Sequence, residues 1–256
     1  MAADFPLSGR VAIVTGASRG IGRAIALHFA SLGASVVLSY TSSSSEADRL
    51  AAEINSSSPT PRAVAIPADV TDPSAVRSLF DLAEKAFSSP PHIVVHSAGI
   101  LDPNYPHIAS TPLADFDRAM AVNARGAFIV LQEAANRVLR GGGGRIIALS
   151  TSVLGLNLPG YGAYSASKAA VEAMVRILSK EMKGTGVTVN CVAPGPVESE
   201  LFFAGKSEED VKRAANLNPM GRVGLPEDIG PVVGFLCSDA GQWVNGQVVR
   251  VNGGMI

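Results

Sequence analysis

Short apolar segments alternate with segments of helical periodicity from one end of the chain to the other. The apolar segments are rich in Val and Ile, and they cover residues 10–16, 36–38, 63–66, 93–95, 145–149, 187–192 and 247–251. Continuous apolar strands of this kind are buried on both faces of a parallel sheet. No linker, repeat or change of composition interrupts the alternation. We therefore predict an α/β fold over residues 1–256, a single doubly wound, Rossmann-type domain whose central, mainly parallel sheet has seven strands and is flanked by helices.

The first apolar segment ends in a glycine-rich turn. Gly16, Gly20 and Gly22 lie between this segment and a helical pattern over residues 23–30. Gly16 permits a tight turn, Gly20 lets the backbone approach a pyrophosphate, and Gly22 lets the helix pack closely on the strand. The free N–H groups at the helix N-terminus attract an anion. The turn is therefore predicted to bind the phosphates of a dinucleotide, although its glycine spacing differs from Gly-x-Gly-x-x-Gly.

The same turn also satisfies the Gly-x-Ser-x-Gly pattern of a hydrolase, with Ser18 as the nucleophile. Two features argue against that alternative. Only fifteen residues precede Gly16, too few for the strand–helix unit that supplies the oxyanion hole of such enzymes. Their partner histidine lies late in the chain, whereas none of the histidines here lies beyond the middle: they are His28, His92, His96 and His107. Dinucleotide binding is therefore the preferred interpretation.

Composition and charge exclude several other classes of protein. The chain has 256 residues, 47% of them hydrophobic and 17% charged, which suits a large buried core. A net charge of −1 and scattered basic residues do not indicate a nucleic-acid or membrane surface. Residues 1–10 lack the pattern of a signal peptide, no apolar stretch is long enough to span a bilayer, and no metal site is predicted. Cys191 and Cys237 are expected to be buried thiols in a reducing compartment, so we expect a cytoplasmic protein.

Two residues with complementary chemistry lie one helical turn apart. Tyr164 and Lys168 share a helix face, and a cation beside a tyrosine lowers a phenol pKa that is normally near 10. Ser152 lies twelve residues upstream of Tyr164 (164 − 152). Together with the turn over residues 15–22, this arrangement resembles the classical short-chain dehydrogenase/reductase family, and the resemblance covers essentially the whole chain. Within the family, the sequence is most similar to NADPH-dependent aldehyde and ketone reductases, and close to 3-oxoacyl-carrier-protein and hydroxynaphthalene reductases.

The resemblance implies a reaction and a role for each matched residue. A hydride passes from the nicotinamide to a carbonyl carbon while Tyr164 gives its proton to the developing alkoxide. Ser152 hydrogen-bonds the carbonyl oxygen, and Lys168 lowers the Tyr164 pKa and holds the nicotinamide ribose. Asn123 links Lys168 to solvent through a water molecule. Besides Tyr164 and Lys168, the matched cofactor-binding positions are Gly16, Ser18, Arg19, Gly20, Ile21, Gly22, Tyr40, Thr41, Ser42, Asp69, Val70, Ser97, Ala98, Gly99, Pro194, Gly195, Val197 and Ser199.

One motif departs from the family pattern. Where the family has Asn-Asn-Ala-Gly or Asn-Ala-Ala-Gly, this chain has His96 and Ser97 before Ala98 and Gly99. The turn itself is expected to persist, because Ala98 and Gly99 are retained. We interpret His96 as a structural histidine with satisfied hydrogen bonds rather than as a catalytic residue.

The identity of the cofactor is predicted from charge. Enzymes that prefer NAD carry an acidic residue at the end of the second strand, where it binds a ribose hydroxyl and repels a phosphate. Residues 38–42 contain no Asp or Glu. Arg19 can donate several hydrogen bonds to a phosphate, and the hydroxyl groups of Thr41 and Ser42 can add others. These residues favour NADP.

The residues expected to surround the substrate are mostly apolar. They come from residues 153–161, 101–110 and 201–205, and the candidates are Leu154, Leu158, Tyr161, Phe202 and Phe203. Walls of this kind suit an apolar aldehyde or ketone, although the same residues could instead belong to the core.

A non-catalytic protein that keeps the fold as an NADP-binding scaffold is the alternative from another class. It is disfavoured because Asn123, Ser152, Tyr164 and Lys168 are all present. The helices predicted over residues 117–139 and 164–178 are apolar around much of their circumference, more than one sheet can cover. The family resemblance implies that such helices pair across two-fold axes. We therefore expect a homotetramer with D2 symmetry, with a dimer as the second choice.

Overall fold

A computed structural model describes residues 6–256; residues 1–5, which are half of the N-terminal segment considered above, lie outside the described residues. Its centre is a seven-stranded sheet in the order β3-β2-β1-β4-β5-β6-β7, and every neighbouring pair of strands is parallel. The predicted fold class is therefore confirmed. The strands are β1 Val11–Thr15, β2 Ser35–Tyr40, β3 Ala63–Pro67, β4 Ile93–His96, β5 Arg145–Leu149, β6 Thr188–Pro194 and β7 Val248–Val251.

Helices connect successive strands and cover both faces of the sheet. The chain leaves β1 toward β2 on one side and returns to place β4 on the other side. A reversal of this kind opens a crevice at the carboxyl ends of the strands, where ligands of such sheets bind. The helices are α1 Gly20–Ser31, α2 Ser44–Ser56, α3 Pro73–Phe87, α4 Leu113–Ala119, α5 Gly126–Arg137, α6 Val153–Leu156, α7 Gly162–Glu181, α8 Glu200–Phe203, α9 Glu208–Leu217 and α10 Pro226–Cys237.

Two hydrophobic clusters, one on each face of the sheet, explain why the strand sequences are continuous apolar runs. On one face, side chains of β1 and β2 pack against α1 and α10, for example Phe29 and Val233. On the other face, Ile13 and Val37 pack with residues of α3, α5 and α7, such as Phe80. Because successive strand residues point to opposite faces, burial on both faces requires an apolar residue at nearly every position.

The helix predicted over residues 117–139 is interrupted. It consists of α4, a π-helical turn at Met120–Arg125, and α5, and Val138 is already extended. A π-helical turn widens the helix and moves one residue out of the regular hydrogen-bond pattern. Helical periodicity in the sequence does not distinguish such a turn from an α-helix.

Two further expectations concern thiols and membranes. Cys191 and Cys237 are both buried and free, as predicted, and burial raises the pKa of each thiol to about 12. Between residues 6 and 256, no helix is long and apolar enough to cross a membrane.

Candidate active site

The turn after β1 has a geometry that glycine alone fits. Gly16 adopts a φ of +64°, in the left-handed region that glycine favours. A Cβ atom at Gly16 would come within 2.9 Å of the Cα of Ala98, and one at Gly22 would come within 2.2 Å of the Gly16 carbonyl oxygen. The first turn of α1 therefore packs directly on the strand end, and its backbone N–H groups face the crevice without side-chain cover.

Thr15 joins the glycine turn to the end of β4. Its hydroxyl oxygen accepts hydrogen bonds from the backbone N–H groups of Ser97 and Ala98, at 3.1 and 3.2 Å. The sequence motif includes Thr15, but the motif alone did not indicate this role. The contact holds the two strand ends at a fixed separation, so residues 97–99 border the same crevice as the glycine turn.

His96 is fully buried, and only one of its two ring nitrogens has a partner. Its Nδ1 atom lies 3.2 Å from the Thr15 hydroxyl, whereas Nε2 makes no hydrogen bond within the described part of the chain. Burial, with a smaller contribution from the Lys168 charge, lowers the pKa of His96 to about 3. The residue is therefore neutral at working pH, which agrees with a structural interpretation, although its hydrogen bonds are not all satisfied as we expected.

A cleft of about 1090 Å³ lies over the carboxyl ends of the strands, at the upper end of the volumes typical of ligand pockets. Every predicted cofactor-binding position lines it: Gly16, Ser18, Arg19, Gly20, Ile21, Gly22, Tyr40, Thr41, Ser42, Asp69, Val70, Ser97, Ala98, Gly99, Tyr164, Lys168, Pro194, Gly195, Val197 and Ser199. The bare backbone of the glycine turn and the side chain of Tyr164 both line it. The cleft thus has room for a dinucleotide whose phosphates lie at the glycine turn.

Tyr164 and Lys168 lie on the first turns of α7, as the i, i+4 spacing predicted. The Lys168 Nζ atom is 5.9 Å from the centroid of the Tyr164 ring, and it donates a hydrogen bond to the carbonyl oxygen of Leu149 at 2.8 Å. Lys168 is buried, and so is Ser152, at the start of α6 in the same wall. The structure therefore brings these three side chains together, although they are separated in sequence.

Burial governs the acidity of both α7 residues. It raises the pKa of Tyr164 to about 12, and a hydrogen bond from Thr151 offsets only part of that effect. It lowers the pKa of Lys168 to about 8, because a buried ammonium loses its hydration. The sequence-based expectation that Lys168 lowers the Tyr164 pKa is not met here. The phenol is protonated at neutral pH, as a proton donor requires.

The Ser152 hydroxyl is held by two partners that the sequence did not identify. It donates to the carbonyl oxygen of Ala193 at 3.0 Å and accepts from the side-chain amide of Asn252, also at 3.0 Å. Asn252 follows β7 and is itself buried. Ser150 and Thr151 are neighbouring hydroxyl residues, but Ser150 donates to Glu172 at 2.6 Å. The hydroxyl of Ser152 therefore has a defined position in the cleft wall.

Asn123 lies in the π-helical turn rather than in the cleft wall. Its amide pairs with the backbone of Ile100 through hydrogen bonds of 2.8 and 2.9 Å, and it also donates to Ser167 at 3.1 Å. A Cβ atom at Gly99 would lie 3.2 Å from the Asn123 Oδ1 atom and 3.4 Å from the Lys168 Nζ atom. Asn123 and Lys168 thus approach the same point of the backbone from two sides.

Arg19 forms an ion pair across the mouth of the cleft with Glu200, at the start of α8. Both side chains are largely exposed. Thr41, on the neighbouring loop, donates to the carbonyl oxygen of Ala68 at 3.3 Å. Arg19 therefore lies at the predicted place, but the sequence did not reveal that a carboxylate competes for it.

The apolar end of the cleft differs in part from prediction. Leu158, Tyr161 and Phe202 line it, together with Tyr105 and Leu156. Leu154 and Phe203 are not among the residues that line it, so their part in binding the substrate stays a prediction. The α6 turn presents Leu156 to the cleft, and Phe203 is 44% exposed. Three charged residues that sequence reasoning missed also line this end: Lys206, Asp210 and Arg213.

A parallel sheet with a bare glycine turn over its carboxyl edge, and with Ser, Tyr and Lys in one wall of the same cleft, defines a dinucleotide-dependent oxidoreductase. Comparison with known proteins agrees. Residues 16–256 match the family model described as Enoyl-(Acyl carrier protein) reductase. The chain belongs to the short-chain dehydrogenase/reductase family, as the motifs predicted, and this membership excludes the hydrolase alternative.

Two relatives from Arabidopsis thaliana and one solved structure illustrate the similarity. "NADPH-dependent aldehyde reductase-like protein, chloroplastic" is 57% identical over 98% of this chain and 96% of its own length. "NADPH-dependent aldehyde reductase 2, chloroplastic" is 55% identical over 98% and 95%. A short-chain dehydrogenase from Burkholderia cenocepacia, solved in complex with NADP, is 33% identical, with a TM-score of 0.89 over 98% of this chain and 99% of that chain.

The expectation of a cytoplasmic protein is wrong. Both Arabidopsis relatives are named as chloroplastic. The prediction depended on two cysteines interpreted as buried thiols. These features indicate reducing conditions but do not separate one reducing compartment from another, because a targeting signal is an address read by a receptor.

Proposed function

We propose that this protein reduces the carbonyl group of an aldehyde or ketone to an alcohol with NADPH. The observation that carries the proposal is the shared cleft, which is lined both by Ser152, Tyr164 and Lys168 and by a glycine turn suited to phosphates. The two Arabidopsis relatives named as NADPH-dependent aldehyde reductases support the same reaction. We infer that residues 1–256 act as one domain, since the sheet draws strands from both ends of the chain.

Each residue of the cleft wall has a distinct task in this proposal. The bound dinucleotide supplies the hydride. Tyr164, whose half-buried phenol keeps its proton, gives that proton to the developing alkoxide, and Ser152 hydrogen-bonds the same oxygen. Lys168 holds the nicotinamide ribose, and Asn123 links Lys168 to solvent through a water molecule. Val197 offers a backbone group to the carboxamide.

The reaction is tested by a spectrophotometric screen of NADPH oxidation against aldehydes, ketones, quinones and 3-oxoacyl thioesters. Reduction of free aldehydes or ketones supports the proposal. Activity confined to the thioesters would instead support a 3-oxoacyl-carrier-protein reductase. The sequence resembles that class as well, and the matching family model is described as Enoyl-(Acyl carrier protein) reductase. NADPH binding without turnover on any of these carbonyl classes would identify a non-catalytic scaffold.

We expect NADPH to bind at least about 10-fold more tightly than NADH, a difference of about 1.4 kcal/mol. The Arg19 guanidinium can pair with the 2′-phosphate, and no acidic side chain between residues 38 and 42 opposes it. Fluorescence titration with both cofactors measures the preference. Arg19→Ala should remove the preference for NADPH. The control is Arg23→Ala, which should retain the preference because Arg23 pairs with Glu53 outside the cleft. Equal affinities in the wild type would contradict the assignment.

The Glu200 carboxylate provides a second test of the role of Arg19 in binding NADPH. NADPH must replace Glu200 as the partner of Arg19, so Glu200→Gln should tighten NADPH binding by about two- to fivefold, the range of an exposed ion pair. NADH affinity should not change.

We propose that the protein assembles as a homotetramer, with a dimer as the next possibility. Large apolar side chains are exposed on the helices concerned: Phe116 on α4, Phe128 on α5 and Ile177 on α7, with 38%, 51% and 58% of their surface accessible. Large exposed apolar side chains on these helices favour an interface between copies of the chain. The same α7 carries Tyr164 and Lys168, so assembly and activity should depend on one another.

The substitution Ala173→Arg places a charge on the exposed face of α7, within this apolar surface. We expect it to shift the protein toward smaller species and to lower turnover, since an unpaired charge at an interface is costly to bury. Light scattering and steady-state rates measure both effects. Ala52→Arg, on the exposed face of α2, is the control and should change neither. A fully active, monomeric wild type at micromolar concentration would refute the proposal.

A further inference from the structure

A lysine ammonium in the wall of the cleft is enclosed by aromatic rings. The Lys206 Nζ atom lies 4.3 Å from the ring centroid of Tyr105, 4.8 Å from that of Phe202 and 5.8 Å from that of Tyr161. It also donates a hydrogen bond to the Tyr105 hydroxyl. Faces of aromatic rings attract cations, so the enclosure stabilises a positive charge inside an otherwise apolar wall.

Lys206 belongs to the same cavity as the reacting groups. The ring of Tyr161 lies between them, 6.4 Å from the ring of Tyr164 on one side and 5.8 Å from the Lys206 Nζ atom on the other. Both Lys206 and Tyr164 line the cleft. Only the ring of Tyr161 therefore separates the ammonium from the proposed proton donor. A small linear molecule is long enough to reach from one to the other.

In the described part of the chain, no carboxylate oxygen lies within ion-pair distance of the ammonium, although the negative charge of Asp210 attracts it. None of the ion pairs among residues 6–256 involves Lys206. The nearby Asp210 caps α9, where it accepts from the Ser207 hydroxyl at 2.7 Å and the Ser207 N–H at 3.1 Å, and it also lies 3.6 Å from Arg213. An ammonium has three N–H donors, of which one is directed to Tyr105. Two donors on a half-buried cation thus lack a strong acceptor, and burial lowers the pKa of Lys206.

The enclosure is held by backbone geometry that leaves little freedom. Tyr105 has a φ of +48°, in the left-handed region that non-glycine residues rarely adopt. Its hydroxyl donates to the carbonyl oxygen of Ala204 at 2.8 Å. At Gly205 a Cβ atom would fall 1.8 Å from the carbonyl oxygen of Pro103, so the two loops touch through their backbones. Strained positions of this kind cluster at sites that bind ligands.

We propose that Lys206 is a specificity-determining residue that binds a carboxylate at the end of the substrate opposite the reacting carbonyl. The inference rests on the proposed function and names its substrate class: straight-chain ω-oxo carboxylates, whose methylene groups lie along Tyr161, Leu158 and Phe202. It modifies the expectation of an apolar substrate, because the chain of the molecule is apolar but its far end carries a negative charge. A carboxylate accepts hydrogen bonds from both remaining N–H groups and so replaces the lost hydration of the ammonium.

The test compares ω-oxo carboxylates with their methyl esters, which have the same reacting carbonyl but no charge. We expect the wild type to prefer each acid to its ester in kcat/KM. Lys206→Met should lower kcat/KM for the acids about 10- to 100-fold, the range of hydrogen bonds to charged groups, and should change the esters less than about threefold. Lys206→Arg should retain the preference. The matched control is Lys212→Met, because Lys212 is an exposed lysine of α9 outside the cleft. This variant should behave as the wild type.

Two measurements keep this inference separate from the proposed reaction. NADPH titration verifies that each variant folds and binds its cofactor. Binding of an ω-hydroxy carboxylate and its methyl ester to the enzyme with NADPH involves no turnover, because both ligands are already reduced, and Lys206→Met should weaken only the acid. Equal losses for acids and esters, or a wild type that does not distinguish them in binding, would overturn the role of Lys206. Absence of carbonyl reduction with selective binding of the acids would overturn the proposed reaction alone.

Discussion

Replacing Tyr164 with Phe should lower kcat for carbonyl reduction about 10²- to 10⁴-fold, the usual contribution of a general acid. The substitution removes the hydroxyl and keeps the ring, so the packing of α7 persists. The phenol pKa of about 12 means that the wild-type group carries its proton throughout the neutral range. NADPH affinity should change by less than about threefold, because the proposed role of Tyr164 is proton donation rather than cofactor anchoring.

Lys168→Ala should behave differently and damage both steps. Lys168 is the proposed ligand of the nicotinamide ribose, so its loss weakens cofactor binding as well as turnover. Lys212→Ala, at an exposed lysine of α9 outside the cleft, is the control for Lys168→Ala and should change neither cofactor binding nor turnover. Steady-state rates and fluorescence titrations on the three variants decide the matter. If Tyr164→Phe kept most of its turnover, another group would be the proton donor.

The second large effect concerns pH. Burial lowers the pKa of Lys168 to about 8, so its ammonium is charged below that pH and neutral above it. The charged form is the proposed ligand of the ribose. The value of kcat/KM for NADPH, which reports on groups of the free enzyme, should therefore fall about tenfold for each pH unit above about 8.

Neither His96 nor Tyr164 titrates in that range. The pKa of His96 is about 3 and that of Tyr164 about 12, so the former stays neutral and the latter protonated between pH 6 and 10 or so. A pH profile of the wild type and of Lys168→Ala measures the effect. The residual activity of the variant should lack the alkaline decrease. A flat wild-type profile would mean that the ammonium is not required for NADPH binding.

Local patterns in the sequence were sufficient for the fold and for one half of the cleft. The strand predicted at residues 145–149 is β5, and the six others overlap their observed strands. Tyr164 and Lys168 share a face because four residues complete about one turn of helix. The glycine turn likewise lies where Gly16 and Gly22 predicted it, since steric limits on φ and on Cβ atoms act between close neighbours. These features depend on residues a few positions apart.

Contacts between distant residues and the effects of burial were decided by tertiary structure alone. Arg19 meets Glu200 across 181 residues of sequence, Lys206 meets Tyr105 across 101, and Asn252 meets Ser152 across 100. The parallel sheet brings the loops at one edge together, and periodicity within a segment carries no information about which loop side chains then touch. Burial also raises the Tyr164 pKa, where the sequence predicted a decrease. The free energy of a charge depends on how much solvent surrounds it, and only the folded arrangement of the neighbouring segments determines that exposure.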